Sequence, residues 1–223
     1  MGIGPPILLH PGYTGSKENL IGLAKTLKKN FKVILMEPRG TGQSEHTNAG
    51  YSLKGYAEDV ISLLNHLNLS KTHFLGHSMG GGVGYLLGIK KKKRLNSLIF
   101  LAPIPSTGYK QKNLEARLKK KYWKNGDICS MSNLLQKRTF KREMETKEWF
   151  DIRAKIICSV SKGHIEKTAL SMKKLNIKKD LKKIEIPSLF VCGAKDKLLR
   201  KNIEDHKQID NSVIQILNNA GHD

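Results

Sequence analysis

The chain has 223 residues, 39% of them hydrophobic, and carries 40 Lys and Arg against 19 Asp and Glu, a net charge of +21. That length suits one globular domain with a sizeable core and an insertion, and no apolar run reaches the roughly 20 residues that cross a bilayer. Cys129, Cys158 and Cys192 lack CxxC spacing and predict neither a disulfide framework nor a zinc site; with no basic-plus-apolar leader before the first strand, a cytoplasmic protein is expected.

In chain order, residues 6–9 read as a buried strand running into the loop His10-Pro11-Gly12-Tyr13-Thr14-Gly15. Apolar positions 20, 23, 24 and 27 form a helical stripe, and residues 32–36 form the next strand. Ser52 is the expected N-cap of a helix through Leu67, with Tyr56, Val60, Leu63, Leu64 and Leu67 on one face. Residues 72–75 are a short strand, and 83–89 an apolar helix whose C-terminal dipole the run Lys90 to Arg94 would complement. Strands follow at 96–103, 187–193 and 212–217, with a helix at 200–209. Strands alternating with helices predict an α/β fold, a mostly parallel sheet covered by helices on both faces.

The segment Gly76-His77-Ser78-Met79-Gly80-Gly81 joins a strand to a helix and contains Gly76-x-Ser78-x-Gly80, which sets a serine on a strained turn. Glycine at both flanks keeps a Cβ from crowding that backbone. Downstream, Asp196 and His222 each stand just past a strand, as Ser78 does. Sites of open parallel sheets form at those strand ends, so the three can converge. A serine hydroxyl needs a base within hydrogen-bond reach. His222 would take the Ser78 proton, and Asp196 would hold the imidazole in the right tautomer. No metal or organic cofactor is required.

These motifs resemble the α/β-hydrolase superfamily. The His10–Gly15 loop is similar to its His-Gly loop, and Glu37-Pro38-Arg39-Gly40-Thr41-Gly42-Gln43-Ser44 to its Asp-x-Arg-Gly-x-Gly-x-Ser segment, with Glu37 where the family has Asp. The resemblance runs from His10 to His222 and implies an oxyanion hole made by the backbone N–H groups of Met79 and Tyr13. His10, Gly12, Gly76, His77 and Gly80 support the motif, His10 and His77 as structural residues bonding loop backbone. His46, His66, His73, His164 and His206 read as surface or packing residues. Against the family pattern two leading strands and a closing helix are absent, which predicts an open sheet edge and an uncovered sheet face.

Residues 104–183 show no buried strand and hold Tyr109, Tyr122, Trp123, Phe140, Trp149 and Phe150. They read as a helical cap, with 1–103 and 184–223 as the core. The aromatics are expected mostly to pack the cap, with one or two lining an acyl pocket. The cap carries 22 basic and 8 acidic residues. Such a field either attracts anionic membrane surfaces or acidic substrates or simply solvates the surface. Nucleic acid is not expected, since no recognisable module accompanies the charge, and the oligomeric state stays open.

The elbow looks like those of carboxylesterases, monoacylglycerol lipases and lysophospholipases, so a small-molecule ester is the expected substrate. The Arg39 segment also resembles that of proline iminopeptidases, a second reading that the basic cap disfavours. An inactive or truncated member acting as a binding module is the third.

Overall fold

A computed structural model describes residues 1–110, 114–141, 143 and 145–222. Its centre is one six-stranded sheet: β1 (Pro6–His10), β2 (Lys32–Leu35), β3 (Thr72–His77), β4 (Leu95–Leu101), β5 (Ser188–Gly193) and β6 (Ser212–Leu217). The order is β2-β1-β3-β4-β5-β6 and every neighbouring pair is parallel. Parallel neighbours need crossovers, and helices supply them: α1 (Ile21–Leu27), α2 (Leu53–His66), α3 (Met79–Lys90) and α8 (Leu199–His206).

Strand residues alternate between two cores. Leu8, Phe74, Leu98, Phe100 and Phe190 pack on one face with Tyr56, Val60 and Leu64 of α2 and Val83 and Leu87 of α3. Ile7, Leu9, Val33 and Leu75 pack on the other with Leu20 and Ala24. Toward β6 that second face opens, and Val213 and Leu217 are 63% and 45% exposed. At the opposite edge, Met1 exchanges two backbone hydrogen bonds with Val33 of β2, at 2.7 and 2.8 Å.

One local reading needs correction. Ser52 does cap α2, its hydroxyl accepting from Gly55 N at 3.0 Å. Leu67, however, lies beyond the helix as its C-cap and is exposed, because the chain turns out of the helix at Asn68 with φ +54°. The basic run after α3 has further partners. Lys90 closes α3, whereas Arg94 donates to the carbonyls of Leu69 and Ser70, and Lys91 and Lys92 pair with Glu58 and Glu185.

Between β4 and β5 lie α4 (Leu114–Asn125), α5 (Ile128–Arg138), α6 (Lys147–Ser159), a π-helical turn (His164–Thr168) and α7 (Ala169–Lys174). Met131, Ala154 and Ile157 make a small core of their own, packed by Tyr122 and Trp123. Trp123 donates to Val160 O at 2.7 Å and Phe150 is buried, so these aromatics hold the helices together. Ile104, Met172, Leu175 and Leu181, toward the two ends of the segment, belong to the main core instead.

Candidate active site

Three strand ends meet at one point. Ser78 follows β3 with φ +51° and ψ −110°, a conformation costly for a residue with a side chain and held here by its surroundings. Its N–H donates to Leu101 O at 2.9 Å, and its carbonyl accepts from Ile104 N at 3.0 Å, which ties the turn to the exit of β4. That exit is itself pinned: Ser106 donates through N and Oγ to Asp205 (2.7 and 2.5 Å), and Asn202 Nδ2 donates to Pro103 O at 2.8 Å. Burial raises the Asp205 pKa, opposed by the two Ser106 bonds.

Asp196 follows β5 in a turn, with its N–H on Gly193 O at 3.1 Å. Gly193 lies so close to the carbonyls of Ala220 and Gly221 that a Cβ would strike both. This approach lets Ala194 N reach Leu217 O and Lys195 N reach Ala220 O, drawing the loop after β6 over Asp196. His222 then completes the set. Its Nδ1 donates to Asp196 Oδ2 at 2.8 Å, and its Nε2 stands 2.9 Å from Ser78 Oγ. The structure thus brings together Ser78, Asp196 and His222. Asp196 also holds the turn: its Oδ1 accepts from Leu198 N at 2.9 Å, leaving Oδ2 for the imidazole.

The other expected residues surround this line. Met79 is the first residue of α3, so its N–H has no acceptor within the helix and sits at the positive end of the dipole. The His10–Gly15 loop lies against the elbow, where a methyl at Gly12 would come within 3.2 Å of Ser78 Cβ. Gly76 and Gly80 face one another across the turn, and a side chain at Gly80 would meet His10 O. His10 is fully buried, with Nδ1 donating to Pro11 O at 2.9 Å; burial lowers its pKa to about 4. His77 Nε2 donates to His222 O at 3.0 Å. Both histidines bond loop backbone.

Sequence reasoning missed His164. Of the surface and packing roles expected for it, it takes the packing one, fully buried between Tyr13 and Tyr56, but its bonds to the His10–Gly15 loop were not foreseen; burial lowers its pKa to about 3. Its partners lie 108 and 150 positions away, so no local pattern announces it. Among the described residues no group of three His, Cys, Asp or Glu could hold a metal, and no helix is long and apolar enough to cross a membrane.

A parallel sheet whose strand ends gather a strained serine, a histidine and a carboxylate defines an α/β-hydrolase architecture. The chain belongs to the α/β hydrolase fold family, whose model matches residues 5–148. It is 27% identical over 228 residues to a proline iminopeptidase of Heyndrickxia coagulans, covering 92% of this chain and 79% of that protein. It is 28% identical over 230 residues to a putative esterase/lipase of Haemophilus influenzae, covering 99% and 78%. An esterase structure from Thermogutta terrifontis superposes with a TM-score of 0.83 at 23% identity, covering 100% of this chain and 84% of the other. A bromoperoxidase from Bacillus anthracis gives 0.86 at 22%, covering 99% and 86%. At those identities the superpositions speak for the fold alone. Family and relatives together support a hydrolase.

Proposed function

We propose that the chain hydrolyses carboxylic esters through an acyl-enzyme on Ser78. The observation that carries this is the unbroken line Ser78 Oγ–His222 Nε2, His222 Nδ1–Asp196 Oδ2, at 2.9 and 2.8 Å. Ser78 Oγ attacks the ester carbonyl and its proton passes to His222 Nε2. The N–H groups of Met79 and Tyr13 receive the oxyanion, a contribution of about 10²–10³ in rate per donor in comparable sites. Collapse expels the alcohol, which takes the proton from His222. Water then attacks the acyl group, His222 serving again as base. Asp196 keeps the imidazole tautomer that presents a lone pair to Ser78.

Aminopeptidase activity is the second reading, favoured by the iminopeptidase relative. An aminopeptidase needs a carboxylate free to hold the substrate's amine. Glu115, Asp151, Glu166 and Asp180, four of the eight acidic residues of the cap, are bridged to a lysine, at 3.2, 2.6, 3.1 and 2.6 Å, and the cap's 22 basic residues favour ester hydrolysis over capture of a free amine. Turnover of a panel of p-nitrophenyl esters against a panel of aminoacyl p-nitroanilides, prolyl included, separates the two. Ester turnover with no anilide cleavage is expected; preferential anilide cleavage would reverse the order.

A further inference from the structure

The turn His164–Thr168 reaches the His10–Gly15 loop across the cap and touches it at three points. Tyr13 Oη donates to Ile165 O at 2.6 Å. Thr14 N donates to His164 Nε2 at 3.3 Å. The His164 ring stacks on the Tyr13 ring, with centroids 5.5 Å apart and planes 13° from parallel.

Thr14 is in the left-handed region at φ +60°, a conformation that a β-branched residue rarely adopts and that persists only where its surroundings over-determine it. The bond from Thr14 N to His164 is one such hold, and Thr14 Oγ1 on Tyr13 O, at 2.6 Å, is a second. His164 is anchored in turn. Its Nδ1 meets Tyr56 Oη at 2.7 Å, and Tyr56 Oη meets Thr168 Oγ1 at 2.8 Å. An amide can only donate, so Nε2 accepts from Thr14 and the ring proton sits on Nδ1. Nδ1 then donates to Tyr56, and Tyr56 to Thr168. The result is a buried, one-directional chain from the loop through His164 to α2 and the cap, and satisfied chains of this kind rigidify what they join.

We propose that His164 is a positioning residue for the oxyanion hole: through this ring the cap fixes Tyr13 and the left-handed Thr14, and with them the direction of the Tyr13 N–H. The proposal rests on Ser78 being the nucleophile. It makes the hole depend on the cap turn as well as the core, so displacement of residues 164–168 would weaken oxyanion stabilisation while leaving Ser78, His222 and Asp196 in line.

The test uses the full chain, p-nitrophenyl ester turnover and an alkyl trifluoromethyl ketone. Ser78 Oγ adds to the ketone carbon and its proton moves to His222, leaving the ketone oxygen as an oxyanion in the hole. His164→Phe keeps the ring stack and removes the acceptor. It is expected to lower kcat by roughly 30-fold with KM within about two-fold, since misplacing a catalytic group by ~1 Å costs on the order of 10² in rate. Trifluoromethyl ketone inhibition is expected to weaken by a similar factor. His164→Gln, whose Oε1 can accept from Thr14, is expected to recover most of the loss. A His164→Phe kcat within threefold of wild type, or equal losses in the Phe and Gln variants with ketone affinity unchanged, would overturn the proposal. If His164→Phe does not fold, Tyr13→Phe, which deletes only the hydroxyl bond to Ile165, is read by the same criteria. A wild-type chain that neither hydrolyses the esters nor reacts with a fluorophosphonate would remove the Ser78 reading itself, an outcome distinct from an unaffected variant of an active enzyme.

Discussion

His77 Nε2 donates to the backbone carbonyl of His222 at 3.0 Å, and the two rings lie 5.3 Å apart. The residue before the proposed nucleophile therefore holds the loop that carries its proposed base. A carbonyl can only accept, so the His77 proton is on Nε2. His77→Phe keeps a ring in place and deletes the donor. A kcat lower by roughly tenfold is expected, with little change in thermal midpoint, in line with the cost of loosening a general base. An unchanged kcat would mean that the His77 bond plays no part in fixing His222.

Asp196 divides its oxygens between Leu198 N and His222 Nδ1. Asp196→Asn can keep the turn bond through its amide oxygen, but its NH₂ then faces Nδ1 and favours the wrong tautomer. A fall in kcat of about 10⁴ is expected, with the urea midpoint nearly unmoved. Asp196→Ala loses the turn bond as well and is expected to cost about 1 kcal/mol of stability in addition.

Phe140 packs its Cβ and Cγ over Gly221, the residue before His222, and is 43% exposed. Phe140→Ala is expected to raise KM for bulky acyl esters more than for acetate. Equal changes across acyl lengths would make Phe140 a packing residue only.

His10 and His164 are buried neutral, burial holding their pKa values near 4 and 3 against 6.5 in the unfolded chain. Backbone hydrogen bonding opposes both shifts, to Pro11 at His10 and to Arg39 at His164; Asp59 opposes that of His10 further, and His10 and His46 deepen that of His164. A folded pKa below the unfolded one means the unfolded chain binds more protons. The contribution is therefore complete above pH 6.5 and is lost as pH falls toward 4 and then 3. The slope is about 1.4 kcal/mol per pH unit for each histidine. His10→Asn, whose amide can still donate to Pro11 O, removes one titrating group. Between pH 6.5 and 4.5 it is expected to lose roughly 2 kcal/mol less stability than wild type in urea unfolding. Identical pH slopes would contradict the buried neutral state of His10.

The six strands and the helices flanking them were legible because each sheet segment is apolar, short and bounded by turn residues, such as Pro187 before β5 and the Ala194–Asp196 turn after it. The elbow and its two partners were legible because their strand-end positions are a local property. His164 was not. Its role comes from contacts with Tyr13, Thr14 and Tyr56, all set by how the cap folds back on the core, and its own neighbours in sequence look like solvent-facing helix. That the cap aromatics mostly pack the cap was legible, as Trp123 and Phe150 show; which of them reaches the site was not, because the contact of half-exposed Phe140 with Gly221 comes from the tertiary fold.

Fluorophosphonate labelling followed by intact mass and peptide mapping tests the Ser78 assignment most directly. One adduct per chain on Ser78 is expected, formed in step with loss of ester turnover, absent in Ser78→Ala and strongly slowed in His222→Gln. Ester turnover that survives in Ser78→Ala, or an adduct on another residue that tracks the loss of activity, would contradict the assignment of Ser78 as nucleophile.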